Sequence, residues 1–503
     1  MTTRRRFLKA AAASSVLGSC GTTTLGLRPV SAQEAILEPG MVRFNDNIEP
    51  LVRLLEDTPR DKVIEEVASR VRSGLSYQKL LAALLLAGVR NVQPRPSVGF
   101  KFHAVLVVNS AHLASVASRD EDRWLPIFWA IDNFKGSQAR DVNEGDWTMP
   151  AVNETKVPGV DAARKMFVEA MDQWDESKAD IAVAGLSRTA GANQIFELFA
   201  RYGIRDFRSI GHKAIFVANS YRTLQCIGWQ HAEPVLRSLA YALQNHEGEP
   251  NPVNSDLAAD RPWRTNAERS PKIRNHWQSG KIDEAATIDL LKTLRTDSAD
   301  DASDAVVEML NANISPQSVY DALFLSAGEL LMRQPGIVAL HAVTSTNAFR
   351  YAFNTASDED TRKMVLLQNA AFLPLFRDAM KNRGAVKDNW ITDLGISSDK
   401  RPSLESIFQQ IGPDSQAAAI DAFAFLENGG NADELISAAR KYIFLKGTDS
   451  HDYKFSSAVL EDFRHVSPSM RNRYLAASVF KMQGANANGN GLIDRVKSAL
   501  NSA

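Results

Sequence analysis

Four times along the chain, an apolar segment with helical spacing is followed by glycine- or proline-containing punctuation, a segment opened by a histidine, and a third apolar segment. The leading segments are Tyr77 to Val89, Ile181 to Ala200, Ser318 to Met332 and Ala432 to Phe444. The closing ones are Arg123 to Phe134, Glu233 to Gln244, Thr361 to Phe376 and Arg471 to Met482. Apolar residues recurring at three- and four-residue intervals over such lengths predict helices. Alternating runs rich in Val, Ile and Thr are almost absent. Val105 to Val108 is the one serious strand candidate; it aligns with Ile215 to Ala218 and Val343 to Thr346 and continues into helical spacing, so it is read as helix. The expected fold class is all-α.

Matching blocks show that the pattern repeats. Ala82 to Gly88, His103-Ala-Val-Leu-Val-Val-Asn109-Ser-Ala-His112 and Ala117 to Asp122 recur in the same order as Ala322 to Gly328, His341-Ala-Val-Thr-Ser-Thr-Asn347-Ala-Phe-Arg350 and Ala356 to Asp360. Looser copies begin at His212, which is followed by Asn219 and Arg222, and at His451. The histidines are 109, 129 and 110 residues apart, and the longer middle spacing contains the polar, proline-rich stretch Glu249 to Lys272. This describes about four units of three to four helices. Such units cannot bury their apolar faces alone, so they stack, as an open solenoid or a closed α-toroid. The units are placed at 33–158, 159–248, 283–398 and 399–503, with 249–282 as a polar inserted loop.

Composition narrows the function classes. With 503 residues and 44 % hydrophobic content the chain is long enough for a large core. Lys plus Arg (58) nearly balance Asp plus Glu (59), which leaves no field to attract nucleic acid. Cys20 and Cys226 are the only cysteines, so neither a Cys/His zinc pattern nor a covalent C-x-x-C-H haem site can be built. Nucleophile-elbow, H-E-x-x-H, Walker and dinucleotide glycine motifs are absent as well, which weighs against hydrolase and nicotinamide readings.

Thr3-Arg4-Arg5-Arg6-Phe7-Leu8-Lys9, followed by the mildly apolar Ala10 to Leu27, resembles a twin-arginine export signal. The run is too interrupted for a membrane anchor, and no transmembrane span is expected in the mature chain. Val30-Ser31-Ala32 suits signal peptidase, which makes 1–32 the leader and the product a soluble periplasmic protein with 53 basic and 59 acidic residues. Leu17-Gly18-Ser19-Cys20, an imperfect lipobox, offers the alternative of a lipid anchor at Cys20. The export machinery is the expected partner. It carries folded proteins, many of them already loaded with a cofactor.

The repeated histidines are the candidate chemistry. His103, His212, His341 and His451 are expected at helix starts, where the helix dipole disfavours imidazolium and leaves a lone pair for a metal. Equivalent positions share one side of the array, and in a closed ring they converge. The competing reading is a helix cap copied four times by duplication. Neutral imidazoles suit a transition metal. Iron is the preferred ion, by analogy with the four-histidine iron of the propeller-shaped carotenoid oxygenases, and haem held by two histidines is the alternative. Asn109, Asn219 and Asn347, six or seven residues on, are candidates to orient a small organic substrate, as are the polar or cationic His112, Arg222 and Arg350. Trp129 to Gln138 and Glu144 to Trp147 mix aromatic and polar residues in an expected long loop that suits a lid.

Gly228-Trp-Gln-His231-Ala-Glu233-Pro-Val-Leu-Arg-Ser-Leu-Ala-Tyr241-Ala-Leu243, together with the histidine-headed helices, resembles the questin oxidase-like family over residues 200–245 and 435–465. That resemblance implies a Baeyer–Villiger-type ring-opening oxygenation of an anthraquinone and makes His231 a further substrate or cofactor contact. The chain departs from the family in carrying an export signal. Two functions follow as expectations: an exported iron oxygenase, or a non-catalytic periplasmic scaffold of helical repeats that binds a ligand or protein. Replacing Arg4 and Arg5 together by Lys is expected to leave unprocessed precursor in the cytoplasm, as read by fractionation and blotting. Normal processing of that variant would show the N-terminus to be something else.

Overall fold

The computed structural model describes residues 40–45, 47–94, 101–244, 248–395 and 401–502. The N-terminal segment read as an export leader, with its arginine pair and Cys20, lies outside these residues. Val42–Ala503 forms one compact unit of 22 α-helices with short 3-10 segments between some of them, and it contains no strand among the described residues. The all-α expectation is met. No described helix is long and apolar enough to cross a membrane.

Four helices make the centre: His103–Val116, His212–Ile227, Ile337–Thr355 and Ser450–Asp462. Each packs on two of the others in cyclic order, the fourth returning to the first, so the inner helices close a ring. Composition explains their position. Buried residues run unbroken from His103 to Ala111 in the first and from His212 to Tyr221 in the second, and a helix apolar around its whole circumference must be covered on every side. Val105 to Val108 is helical, as its spacing predicts.

The covering comes from the chain neighbours of each inner helix. Tyr77–Asn91 and Leu125–Asn143 flank the first, Ala192–Ile204 and Ala232–Leu243 the second, Pro316–Arg333 and Glu359–Lys381 the third, and Ala432–Lys446 and Arg471–Ser478 the fourth. Gly203 marks one close approach. A Cβ there would lie 2.7 Å from Val217 Cγ2, and a β-branched side chain in a helix has little rotamer freedom with which to give way.

Three expectations need correction. Ile181 to Ala200 is divided between Glu176–Thr189 and Ala192–Ile204, because Ala190-Gly191 is extended and starts a new helix. Trp129 to Gln138 is no loop or lid; it lies within helix Leu125–Asn143, where Trp129 stacks on Tyr453 with ring centroids 4.1 Å apart and Asp132 accepts two hydrogen bonds from Arg60. The 249–282 stretch carries helix Arg261–Arg269 and buries Trp277, whose indole N–H donates to Glu359 at 2.6 Å.

That insert also fastens the turn ahead of His212. Asp260 accepts from Arg208 Nε at 3.0 Å and from Nη2 at 2.6 Å, with both side chains buried, and the Phe207 N–H donates to the Ala259 carbonyl at 2.9 Å. Asp260→Ala leaves that guanidinium buried without its main carboxylate, and the expected cost is about 3–5 kcal/mol by urea denaturation. A loss under about 1 kcal/mol would mean that Arg208 is satisfied by Glu249 or by solvent.

Candidate metal centre

His103 and His212 are the first residues of their helices and His451 the second of its own. His341 differs from expectation: Gly336 is the cap, the helix begins at Ile337, and the histidine sits one turn inside it. All four rings nevertheless meet, in the cyclic order of the helices. His212 Nε2 is 3.4 Å from His103 Nε2 and 3.0 Å from His341 Nε2. The His451 ring lies 4.6 Å from that of His103 and 5.5 Å from that of His341, centroid to centroid. Ligand nitrogens of His103, His341 and His451 come within 4.8 Å of one another. Nitrogens bound at about 2.0–2.1 Å to one ion stand about 2.9–3.4 Å apart at octahedral to tetrahedral angles. The separations of 3.0 and 3.4 Å are of that kind.

Protonation makes the case sharper. His212 Nδ1 donates to the Ser209 carbonyl at 2.6 Å and His341 Nδ1 to the Ile337 carbonyl at 2.7 Å. A neutral ring that donates through Nδ1 has only a lone pair at Nε2. Burial, joined by Lys454 and the neighbouring rings, holds the pKa of His103, His212 and His341 well below the ordinary imidazole range. Two lone pairs therefore face each other across 3.0 Å, an arrangement that a cation between them relieves. The residues fit a transition metal. They do not fit a haem, whose two axial imidazoles stand on opposite faces of the macrocycle instead of touching.

Backbone strain places His212. Ser209 (φ 57°), Ile210 (φ 46°) and Gly211 (φ 77°) are all left-handed, a conformation costly for a β-branched residue, and it aims the Ser209 carbonyl at the imidazole. Buried ion pairs hold this turn, Lys213 Nζ lying 2.8 Å from Asp206 and Arg208 pairing with Asp260. Asp449 plays the matching part for His451. It caps that helix in a reciprocal arrangement with Asp452 and lies 3.4 Å from His451 Nδ1, and its pKa falls to about 2, first through the His451 hydrogen bond. An oxygen behind each ligand ring is the usual means of fixing tautomer and orientation.

Sequence reasoning missed Lys454. Its Nζ is 3.0 Å from His103 Nε2, and complete burial pushes its pKa down to about 7 against the pull of Asp449. The signal was present: Lys454 follows His451 by three residues and so shares its helix face. The Asp449-x-x-Asp452 capping pattern was equally readable.

The other predicted residues lie elsewhere. Asn109, Asn219 and Asn347 are on the inner helices but about 10 Å along the axis from the histidines, by a rise of about 1.5 Å per residue. They bond to one another and to neighbours: Asn109 Nδ2 donates to Asn219 Oδ1 at 3.2 Å, and Asn347 Nδ2 to Glu461 and Asp462 at 2.8 and 2.7 Å. Arg222 joins this second polar layer by donating to Asn347 and Glu461, both at 3.0 Å. His112 lies between Tyr77 Oη (3.0 Å) and Cys226 Sγ (3.1 Å). Arg350 donates to Gln317 and covers the Tyr320 ring. His231 ends a 3-10 turn after Gly228 and is not among the gathered imidazoles.

No family model matches this chain, and no curated protein or solved structure matches it.

Gly211 is the residue on which that geometry can be tested. A Cβ there would meet the left-handed φ and collide with Ser345 Oγ from the His341 helix. Gly211→Ala is expected to destabilise by about 2–4 kcal/mol, from left-handed strain plus overpacking. Adding Ser345→Ala should recover part of the loss in a double-mutant cycle. Additive effects of the two substitutions would show that the helices do not approach as described.

Proposed function

We propose that this chain is a transition-metal protein whose ion is held by His103, His212, His341 and His451, and that it is an oxidoreductase with iron as the working metal. One observation supports the metal above all: the His212 and His341 lone pairs face each other at 3.0 Å, with both Nδ1 positions already committed to carbonyls. Imidazole ligands carry no charge of their own and leave a divalent ion its full charge, and iron so held, with positions to spare, would supply dioxygen chemistry when bound. The Ser209 and Ile337 carbonyls and the Asp449 carboxylate keep the rings turned inward, and His103, His212 and His341 are buried while His451 is half-buried. Lys454, whose Nζ is 3.0 Å from His103 Nε2, could hold or give up a proton at Nζ beside that ring. An organic substrate oxygenated at this centre is the activity that the questin oxidase-like resemblance suggests. Export by the twin-arginine route belongs to the same proposal, since it delivers a folded and loaded protein; its support is the Thr3 to Lys9 motif.

A second reading has an observation of its own. His103, His212 and His341 are exposed to 5 %, 4 % and 1 %, and an ion this enclosed also serves to tie four helices together in a binding scaffold. Oxygen consumption by the iron-loaded protein separates the two, while metal analysis tests what they share. His103→Ala, His212→Ala, His341→Ala and His451→Ala are each expected to strip most of the metal and to lower Tm by similar amounts, and a second substitution should add little, because ligands of one ion act as a unit. Full metal content in all four variants, or losses of about 1 kcal/mol that simply add, would make the histidines helix caps.

A further inference from the structure

A groove outside the metal centre lies between the His103 helix, the helix Ala432–Lys446 and the His451 helix. It encloses about 200 Å³, and Leu113, Val116, Ile443, Phe444 and Leu460 form its apolar walls. Val116 is 50 % exposed at the rim, at the end of a helix that is buried over most of its length.

Arg440 stands in this groove with little to hold it. Among the described residues its one hydrogen bond runs from Nη1 to the Ala117 carbonyl at 3.4 Å, near the limit for such a bond. No carboxylate among the described residues pairs with it. Asp433, which attracts it from a distance, is committed to Arg464 at 2.7 Å, and Glu461 is committed to Arg222 and Asn347 at 3.0 and 2.8 Å. Burial and the like charge of Arg464 together lower the pKa of Arg440. A half-buried cation with no carboxylate at hydrogen-bond distance, set beside a second cation, is complementary to an anion with an apolar body.

We infer that this groove binds an organic monocarboxylate. The carboxylate accepts hydrogen bonds from Arg440, with Arg464 adding attraction from the mouth, and the hydrocarbon lies on Leu113, Ile443, Phe444 and Leu460. The volume is below the usual range for drug-sized ligands, which limits the body to a short chain or a single ring. Because no metal ligand lines the groove, the inference stands apart from the metal reading.

Isothermal titration of the full-length protein with octanoate, and with octanol as its uncharged counterpart, tests this. Octanoate is expected to bind saturably at one per chain and octanol about tenfold or more weakly, as loss of a charge-assisted hydrogen bond predicts. Arg440→Met should remove that difference by weakening octanoate alone. Val116→Trp, at the exposed rim, keeps the test valid should Arg440→Met fail to fold; it narrows the groove and should weaken octanoate as well. Equal binding of acid and alcohol, absence of saturable octanoate binding, or octanoate binding unchanged by either substitution would overturn the inference.

Discussion

Two imidazole lone pairs 3.0 Å apart in the interior of a protein form an arrangement that repels itself, and much of this molecule is organised around sustaining it. Each unsatisfied buried acceptor costs about 1–3 kcal/mol, so a cluster of them survives only if something charged repays the cost or the surroundings forbid escape. Both conditions are built in. The four helices carrying the rings close on one another, and the oxygens behind His212, His341 and His451 deny those rings the rotations that would turn Nε2 away. Three consecutive left-handed residues before His212 show how much local energy the fold commits to a single ring.

Polar groups elsewhere along the inner ring are arranged on the opposite logic. Asn109, Asn219, Asn347, Arg222, Glu461 and Asp462 bond to one another, so this layer sets the register of the four inner helices. Asp462, fully buried, has its pKa raised by desolvation in spite of hydrogen bonds from Asn347 and its His465 neighbour, and Tyr474 donates to its second oxygen at 3.3 Å. The asparagine layer, two turns along the same helices, is knit largely by its own side chains, whereas the His212 and His341 lone pairs face each other, which is good reason to regard the histidine layer as chemistry and the asparagine layer as architecture.

The insert between the second and third histidines ties the two together. Its Asp260 neutralises Arg208, which belongs to the turn that aims Ser209 at His212. A stretch that looks like a polar excursion on the surface is thus part of how one candidate ligand, His212, is held.

The chain by itself determined that the protein is helical, where most helices run, and that four histidines hold equivalent places, because a period of 3.6 residues and a repeated block are properties of order along a line. It determined the His451 cap too, since Asp449 and Asp452 lie within one turn. The tertiary structure decided the rest. Which way a ring turns depends on carbonyls that local backbone strain positions, as at Ser209, or on where a helix begins, as at Ile337. Whether Asn109 touches a ligand or another asparagine depends on the packing of helices more than a hundred residues apart. The bare charge of Arg440 was invisible for the same reason, since a missing partner is a fact about neighbours in space.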